Sequence, residues 1–288
     1  MAATRELKGR INSVRSSQKI TGAMKMISSA RLRKAENALF NARPYRDQLN
    51  RLLGRVSSSA LEYRSPLAEE RTARRVAIVL FASNEGLCGA FNVTLFKKFL
   101  EVLDGYARQG VGDVAVYAVG TKLLGGLRKT KGIKLMPVPD AFARKDWTAG
   151  CVELADALMR GFLDKEIDRV ELIYSRFKSM GSQTVLCEQF LPWKYQGEGD
   201  AVSSGIDYIY EPDAGTILDA LYPLAVHATM VRALLENQTS EQAARILAMQ
   251  MANDNAGKLL DDLQLQYNKM RQQAITSELL DIVGGSLK

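Results

Sequence analysis

Histidine is the residue that this chain most nearly lacks, because its 288 residues include only His227. Catalytic triads, histidine-ligated metal sites and most general acid–base mechanisms depend on that side chain. The three cysteines, Cys88, Cys151 and Cys187, are widely spaced and form no Cys-x-x-Cys pair. This spacing argues against a metal cluster or a disulfide framework. We therefore expect no catalytic residue, no metal and no bound cofactor.

Long apolar stretches are also missing. No run of about 18 apolar residues occurs, so we expect no transmembrane helix. The polar start of the chain, residues 1–6, predicts neither a secretory signal nor a transit peptide. The composition of 47% hydrophobic and 25% charged residues is ordinary for a globular protein and excludes collagen-like or wholly disordered chains.

Positive charge is concentrated at the start of the chain. Residues 1–75 contain 17 Lys or Arg against 6 Asp or Glu, a net charge of +11, whereas the remaining residues sum to −4. Such an arm favours an anionic partner, which could be nucleic acid, anionic lipid or an acidic protein surface. The alternative is an arginine-rich, solvated helix. The arm has few aromatic side chains, which weakens a base-stacking role.

Proline and glycine are scarce at both chain ends, where apolar residues follow a helical period. Near the start, Leu7, Ile11 and Val14 recur at i, i+4 and i+7, and we expect the same apolar face to continue through Ile20, Met24 and Ile27. Pro44 should end or kink this helix, because proline lacks an N–H and clashes with the preceding turn.

The other chain end shows a coiled-coil seam. Leu260, Leu263, Tyr267, Met270 and Ala274 step by three and four residues. Upstream residues are expected to extend the apolar face: Val231, Leu234, Leu235, Leu247 and Met251. A single helix over 224–282 would be about 88 Å long and would need a partner along its length. We expect it to pair with residues 1–60 as an antiparallel coiled coil. A capping-box-like sequence at 238–242 leaves a local break open.

The middle of the chain alternates between strand and helix patterns. Strands are predicted at 76–81, 114–119, 170–174 and 184–190, with helices at about 92–108 and 149–163. This order indicates an α/β class with a Rossmann-like, open, mostly parallel sheet. The predicted domains are therefore an N-terminal helix over 1–73, a central α/β domain over 74–212 and a C-terminal helix over 213–288.

A glycine-containing turn, Gly86-Leu87-Cys88-Gly89, follows the first strand, where dinucleotide folds place a phosphate. The sequence lacks both Gly-x-Gly-x-x-Gly and the P-loop pattern, so we favour tight turn geometry over nucleotide binding. An α/β nucleotide-binding enzyme with helical arms nevertheless stays the alternative function.

Five blocks resemble the gamma subunit of F-type ATP synthases, in the right order along the chain. They are residues 20–33, 83–92, 254–256, 263–269 and 271–283. The family pattern at the chain end closes with Gly-Ala, and this chain has Gly285-Ser286 there. It also lacks the cysteine-bearing insertion of chloroplast forms, which together with the absent transit peptide suggests a bacterial protein.

This resemblance implies a non-catalytic rotor subunit. In that family the terminal helices form a shaft inside a ring of alpha and beta subunits, and the middle domain binds the epsilon subunit and the c-ring. Rotation couples proton flow to ATP synthesis or hydrolysis at the beta subunits. The resemblance further implies a peripheral position on the cytoplasmic face of the membrane. The basic arm would then face acidic loops of the beta subunits rather than nucleic acid.

The resemblance also implies particular contact residues. Those expected to touch the beta subunits are Met24, Lys25, Arg245, Arg271, Gln272, Thr276 and Glu278. The apolar tip expected to rest in a hydrophobic bearing is Leu279, Leu280, Ile282 and Val283. The foot expected to meet the c-ring and epsilon is Asp207, Tyr208, Tyr210 and Glu211.

Overall fold

The computed structural model describes residues 2–59, 63–194 and 209–285. The chain divides into two compact units. Unit 1 combines the two chain ends, up to Ala30 and from Arg245, and unit 2 comprises Arg31–Ala244. The domain boundaries expected at 73 and 212 stay a prediction.

Two long helices and a five-stranded sheet make up most of the described structure. A short 3-10 helix at Pro66–Ala68 precedes the first strand. In chain order the other elements are α1 (Ala2–Ser59), β1 (Arg75–Phe81), α2 (Phe91–Arg108), β2 (Asp113–Val119), α3 (Leu124–Leu127), β3 (Lys134–Met136), α4 (Asp140–Ala143), α5 (Trp147–Leu163), β4 (Arg169–Ser179), β5 (Ser182–Leu191) and α6 (Ala214–Gly285).

The sheet of unit 2 has the order β3-β2-β1-β4-β5. Strand β1 pairs in parallel with both β2 and β4, and β2 pairs in parallel with β3, whereas β4 and β5 form an antiparallel hairpin. The predicted α/β class with a mostly parallel sheet is therefore confirmed, and each predicted strand is present with ends shifted by a few residues. Strand β3 and the short helices α3 and α4 were not predicted.

Both faces of the sheet are covered, which explains the continuous apolar run of β1. Ala77, Val79 and Phe81 point to a core that includes Leu53 of α1 and Val226 of α6. On the opposite face, alternate residues of β1 pack against α2 in a second core, formed by Val76, Ile78, Leu80, Leu95 and Phe99. Because both faces of this strand are buried, its residues are apolar throughout and do not alternate with polar ones.

A buried carboxylate anchors the start of β1. Asp168 accepts hydrogen bonds from the backbone N–H groups of Arg74 and Arg75 at 3.1 and 2.9 Å, and the Arg75 guanidinium lies 3.0 Å from its other oxygen. Burial alone would raise the pKa of Asp168, but these hydrogen bonds outweigh it and lower that pKa below its usual value. The carboxylate is therefore stabilised in its charged form.

Helix α1 runs without interruption through Pro44, so of the two expected effects of this proline, an end or a kink, the first was wrong. Leu39 precedes it, and Leu49, Leu53 and Val56 follow it, all buried. This packing on both sides of Pro44 offsets the hydrogen bond that proline cannot donate. The described part of the helix extends to Ser59.

Helix α6 is likewise continuous through residues 238–242, and it begins before Pro223. One 18-residue window within Ala214–Ser277 reaches a mean hydropathy of 1.2 and meets the length and composition criteria for a membrane span, although the chain has no unbroken apolar run of that length. Only 39% of this window is buried inside the protein. Core helices of soluble proteins meet the same criteria, so this composition is weak evidence for a span.

Candidate functional site

In unit 1 the two chain ends form an antiparallel helix pair. Lys25 of α1 bonds to Gln250 of α6. Gly22 of α1 lies against Asn253 of α6, and Gly257 of α6 lies against Gln18 of α1. Partner numbers thus rise on α6 as they fall on α1, which defines the antiparallel direction. Nearer the chain ends, the predicted seam is confirmed as far as Met270: Leu7, Ile11, Val14, Leu260, Leu263, Tyr267 and Met270 pack together.

Polar and small residues occupy the inner face of this pair around Lys25. Lys25 donates to the side-chain oxygen of Gln250, whose amide in turn donates to Asp254 at 2.8 and 2.9 Å. On α1, Gln18, Gly22 and Lys25 step by four and three, so they share one helical face. Around Lys25 this face meets the partner helix through hydrogen bonds and at glycines.

Large apolar side chains consequently lie on the outside. Ile20 is 59% exposed, Ile27 54%, Met26 70% and Met251 67%. The expectation that Ile20 and Ile27 continue the buried face was wrong, and so was the placement of Met251 and Leu247 on the buried face of α6. Their neighbours Ile246 and Met249 are buried instead. We call the exposed set Ile20, Met26, Ile27 and Met251 the outer apolar band.

The predicted contact residues Met24 and Lys25 fall next to this band. Met24 lies four residues after Ile20 and three before Ile27, so it shares their helical face, and it is half-buried. Lys25 is half-buried on the inner face, where it bonds to Gln250. Arg245, also predicted as a contact, is only 2% exposed and therefore presents little surface to a partner in this conformation.

The remaining predicted contacts lie near the end of α6. Arg271, Gln272 and Thr276 are exposed, and the Thr276 hydroxyl donates to the backbone carbonyl of Gln272 at 2.9 Å. Gln272 also lines an open groove on unit 1 together with Lys8 and Arg15 of α1. Basic and amide side chains are thus presented together along this part of the helix pair.

The predicted apolar tip is helical through Gly285, and Leu279 and Leu280 are both exposed. The side chains of Glu278, Ile282 and Val283 lie outside the described residues. Sequence reasoning missed Ile275, one turn before Leu279, although it is apolar and exposed in the same way.

The predicted foot is described in part, because Asp207 and Tyr208 lie outside the described residues. Tyr210 packs at the edge of the core beneath the sheet, and its hydroxyl lies 3.0 Å from that of Ser59. Glu211 is exposed.

The turn after β1 is fixed by its own side chains and backbone. Asn92 accepts from the Ser83 N–H at 3.1 Å and donates to the Ser83 hydroxyl at 2.7 Å, while Asn84 accepts from the Thr121 N–H at 3.0 Å. Leu87 and Gly89 have φ values of 63° and 60°. Backbone conformation therefore accounts for Gly89 of this turn.

The surroundings of Cys151, Cys187 and His227 indicate structural roles for these side chains. Burial raises the pKa of Cys151 to about 12, and burial together with Glu171 raises the pKa of Cys187. Both thiols are therefore uncharged at neutral pH. His227 lies 2.6 Å from Asp156, joining α6 to α5. Within 2–59, 63–194 and 209–285, no three His, Cys, Asp or Glu residues cluster as metal ligands would.

Known proteins resemble this chain over its whole length. A family model described as ATP synthase matches residues 3–287. An ATP synthase gamma chain of Bacteroides fragilis is 46% identical over 290 residues, covering 100% of both chains. One from Phocaeicola vulgatus is 44% identical over 289 residues, also covering 100% of both. The chain belongs to the ATP synthase gamma chain family.

Solved structures show the same fold at low sequence identity. The rotor of the Euglena gracilis mitochondrial ATP synthase contains a chain with a TM-score of 0.60 at 19% identity, covering 95% of this chain and 99% of that one. The central stalk and c-ring structure from Tetrahymena thermophila contains one with a TM-score of 0.57 at 22% identity, covering 81% and 99%.

Proposed function

We propose that this chain is the central-stalk rotor subunit of an F-type ATP synthase. It rotates inside a ring of alpha and beta subunits and couples proton flow through a membrane ring to ATP synthesis or hydrolysis. Membership of the gamma chain family supports this function, and structural neighbours from an ATP synthase rotor and a central stalk agree with it.

The observation that carries the proposal is the construction of the helix pair in unit 1. Its inner face uses hydrogen bonds and small residues around Lys25, while Ile20, Ile27 and Met251 are left in solvent. Covering apolar side chains of this size with a partner is favourable, so their exposure on both helices of the pair supports an interaction surface here. A ring of subunits closing around the helix pair would cover it.

The contacts with beta subunits are proposed at Met24, Lys25, Arg245, Arg271, Gln272, Thr276 and Glu278. Exposed arginine and amide side chains at 271 and 272 can donate to a carboxylate or carbonyl of a beta-subunit loop. The tip, Leu279, Leu280, Ile282 and Val283, offers apolar contacts without direction, which suit a bearing. The foot, Asp207, Tyr208, Tyr210 and Glu211, is proposed to meet the c-ring and the epsilon subunit.

On this proposal the chain performs no chemistry itself. An asymmetric shaft touches each beta subunit with a different face, so it biases each catalytic site toward a different conformation and a different nucleotide affinity. The chain would be held peripherally at the cytoplasmic face of the membrane through the c-ring.

Reconstitution tests the proposal. The purified chain is mixed with alpha and beta subunits of an F-type ATP synthase, and the mixture is separated by size. We expect one complex that contains a single copy of this chain and hydrolyses ATP. A folded chain that stays separate from alpha and beta subunits would overturn the proposal. The nucleotide-binding alternative would then be examined at the turn formed by residues 86–89.

A further inference from the structure

A buried group of charged side chains joins α6 to the hairpin of β4 and β5. The Arg232 guanidinium donates to Glu188 at 2.6 Å and to the Tyr174 hydroxyl at 3.0 Å, and it lies 3.5 Å from Glu236. Tyr174 donates to Glu188 at 2.5 Å. Arg176 completes the group from the strand side, 3.5 Å from Glu236. Two arginines and two glutamates balance in charge.

Two further side chains of α6 bond to the backbone of β4. Asn237 accepts from the Ser175 N–H at 3.0 Å, and the Ser240 hydroxyl donates to the Ser175 carbonyl at 2.9 Å. The pairing of β1 with β4 ends at Leu80 and Ile173, so Ser175 lies beyond the end of its neighbouring strand. Helix side chains thus take the place of the missing strand there.

These contacts differ in kind from the apolar packing beside them. The hydrophobic effect is non-directional, so apolar packing constrains the angle of a helix mainly through the shapes of the side chains. Hydrogen bonds and ion pairs require particular distances and angles. Buried ion groups are also poor sources of stability, since apolar replacements of similar volume often fold as well or better. The property that the charged group supplies is therefore a fixed angle of α6 on the sheet.

We propose that Arg232 is a positioning residue that, with Glu188, Glu236 and Ser240, fixes the rotational angle of α6 on the sheet and so transmits torque from sheet to helix. This inference rests on the proposed rotor function and assigns the place in unit 2 where torque enters the helix. A rotor with this attachment weakened would still turn freely without load, but it would yield when it has to work against one.

The test uses the complete membrane-bound enzyme reconstituted in vesicles with three variants of this chain. The first is Arg232→Met. The second removes the buried charges of three members together, with Arg232→Met, Glu188→Leu and Glu236→Leu, and leaves the half-exposed Arg176 to water. The third is Ser240→Ala, which removes one hydroxyl. The control is Arg108→Met, because Arg108 forms an exposed ion pair with Asp104 on α2.

Four readouts separate positioning from folding: thermal stability, ATP hydrolysis without a gradient, ATP synthesis driven by an imposed proton gradient, and the torsional stiffness of the rotor. We expect the triple variant to melt below wild type, because the buried Tyr174 hydroxyl loses its bonds to Glu188 and Arg232, and to hydrolyse ATP within about twofold of wild type. Gradient-driven synthesis should fall by about two- to thirtyfold. The torsional stiffness of the rotor, measured from angular fluctuations of a probe on unit 2, should fall with it.

Unchanged synthesis and stiffness in a folded triple variant would overturn the inference. If that variant does not fold, Ser240→Ala decides by the same readouts, because it removes only one directional bond. Arg108→Met should match wild type throughout. A wild-type chain that forms no complex contradicts the rotor function itself, so the two failures are distinct.

Discussion

Replacing Ile20 and Ile27 together by serine removes half of the outer apolar band. The two side chains are 59% and 54% exposed, so most of their surface is free to be covered by a partner. Complete burial of such a side chain is worth about 1.5–3 kcal/mol. The exposed fractions of the two together then correspond to about 2–3 kcal/mol of binding free energy. This is a loss of about 30- to 150-fold in affinity.

The assay is a titration of this chain into alpha and beta subunits, followed by the size of the complex and its ATP hydrolysis. The free energy of unfolding of the chain itself should change by about 0.5 kcal/mol or less, since both positions are exposed. Met180→Ser, at an exposed methionine in the β4–β5 turn, is the matched control and should bind like wild type. Wild-type affinity for the double serine variant would refute the assignment of the outer apolar band as a subunit contact.

Three further predictions concern unit 2. Leu53 is completely buried, so Leu53→Ala should lower the free energy of unfolding by about 2–5 kcal/mol in urea, and a loss below 1 kcal/mol would contradict its core position. Gly120 has a φ of 119°, and an added Cβ would lie 2.3 Å from the Ala82 carbonyl oxygen. Gly120→Ala should therefore lower the free energy of unfolding by more than about 1–3 kcal/mol. A melting temperature equal to that of wild type would refute this. Because Asp168 has a lowered pKa in the folded state, its stabilisation is present above the usual pKa of about 3.9 and is lost as the pH falls through the folded value. The difference in unfolding free energy between wild type and Asp168→Asn should be constant near neutral pH and shrink below about pH 4, and a difference that grows in acid would be inconsistent with this sign.

The sequence predicted the sheet well because its strands are buried on both faces. A short, continuous apolar run bounded by turn residues, such as 76–81, indicates a buried strand. The alternation of strands with helices indicated that the sheet is mostly parallel. Strand β3 was missed because three residues carry no period that separates a strand from a loop. Of the two starts expected for the last helix, 213 and 224, the earlier lies close to the observed start of α6 at Ala214, and Pro223 is accommodated inside this packed helix.

The candidate site was harder to predict, since helical periodicity shows which residues share a face but not which face is buried. Ile20, Met24 and Ile27 do share a face, yet the polar face with Gly22 and Lys25 meets the partner helix. The glycines at 22 and 257 were the available signal, because a helix can approach its partner closely where a residue has no side chain. The Arg232 group had no sequence signal, as its members come from two strands and a helix distant in sequence.

The bonds from α6 to Ser175 also bear on self-association. A strand that extends past its neighbour presents unpaired N–H and C=O groups, and such groups can recruit a strand from another chain. At Ser175 both groups are already bonded, to Asn237 and Ser240. A strand from another chain therefore cannot pair with β4 at this residue, and the helix protects this end of the sheet from aggregation by strand addition.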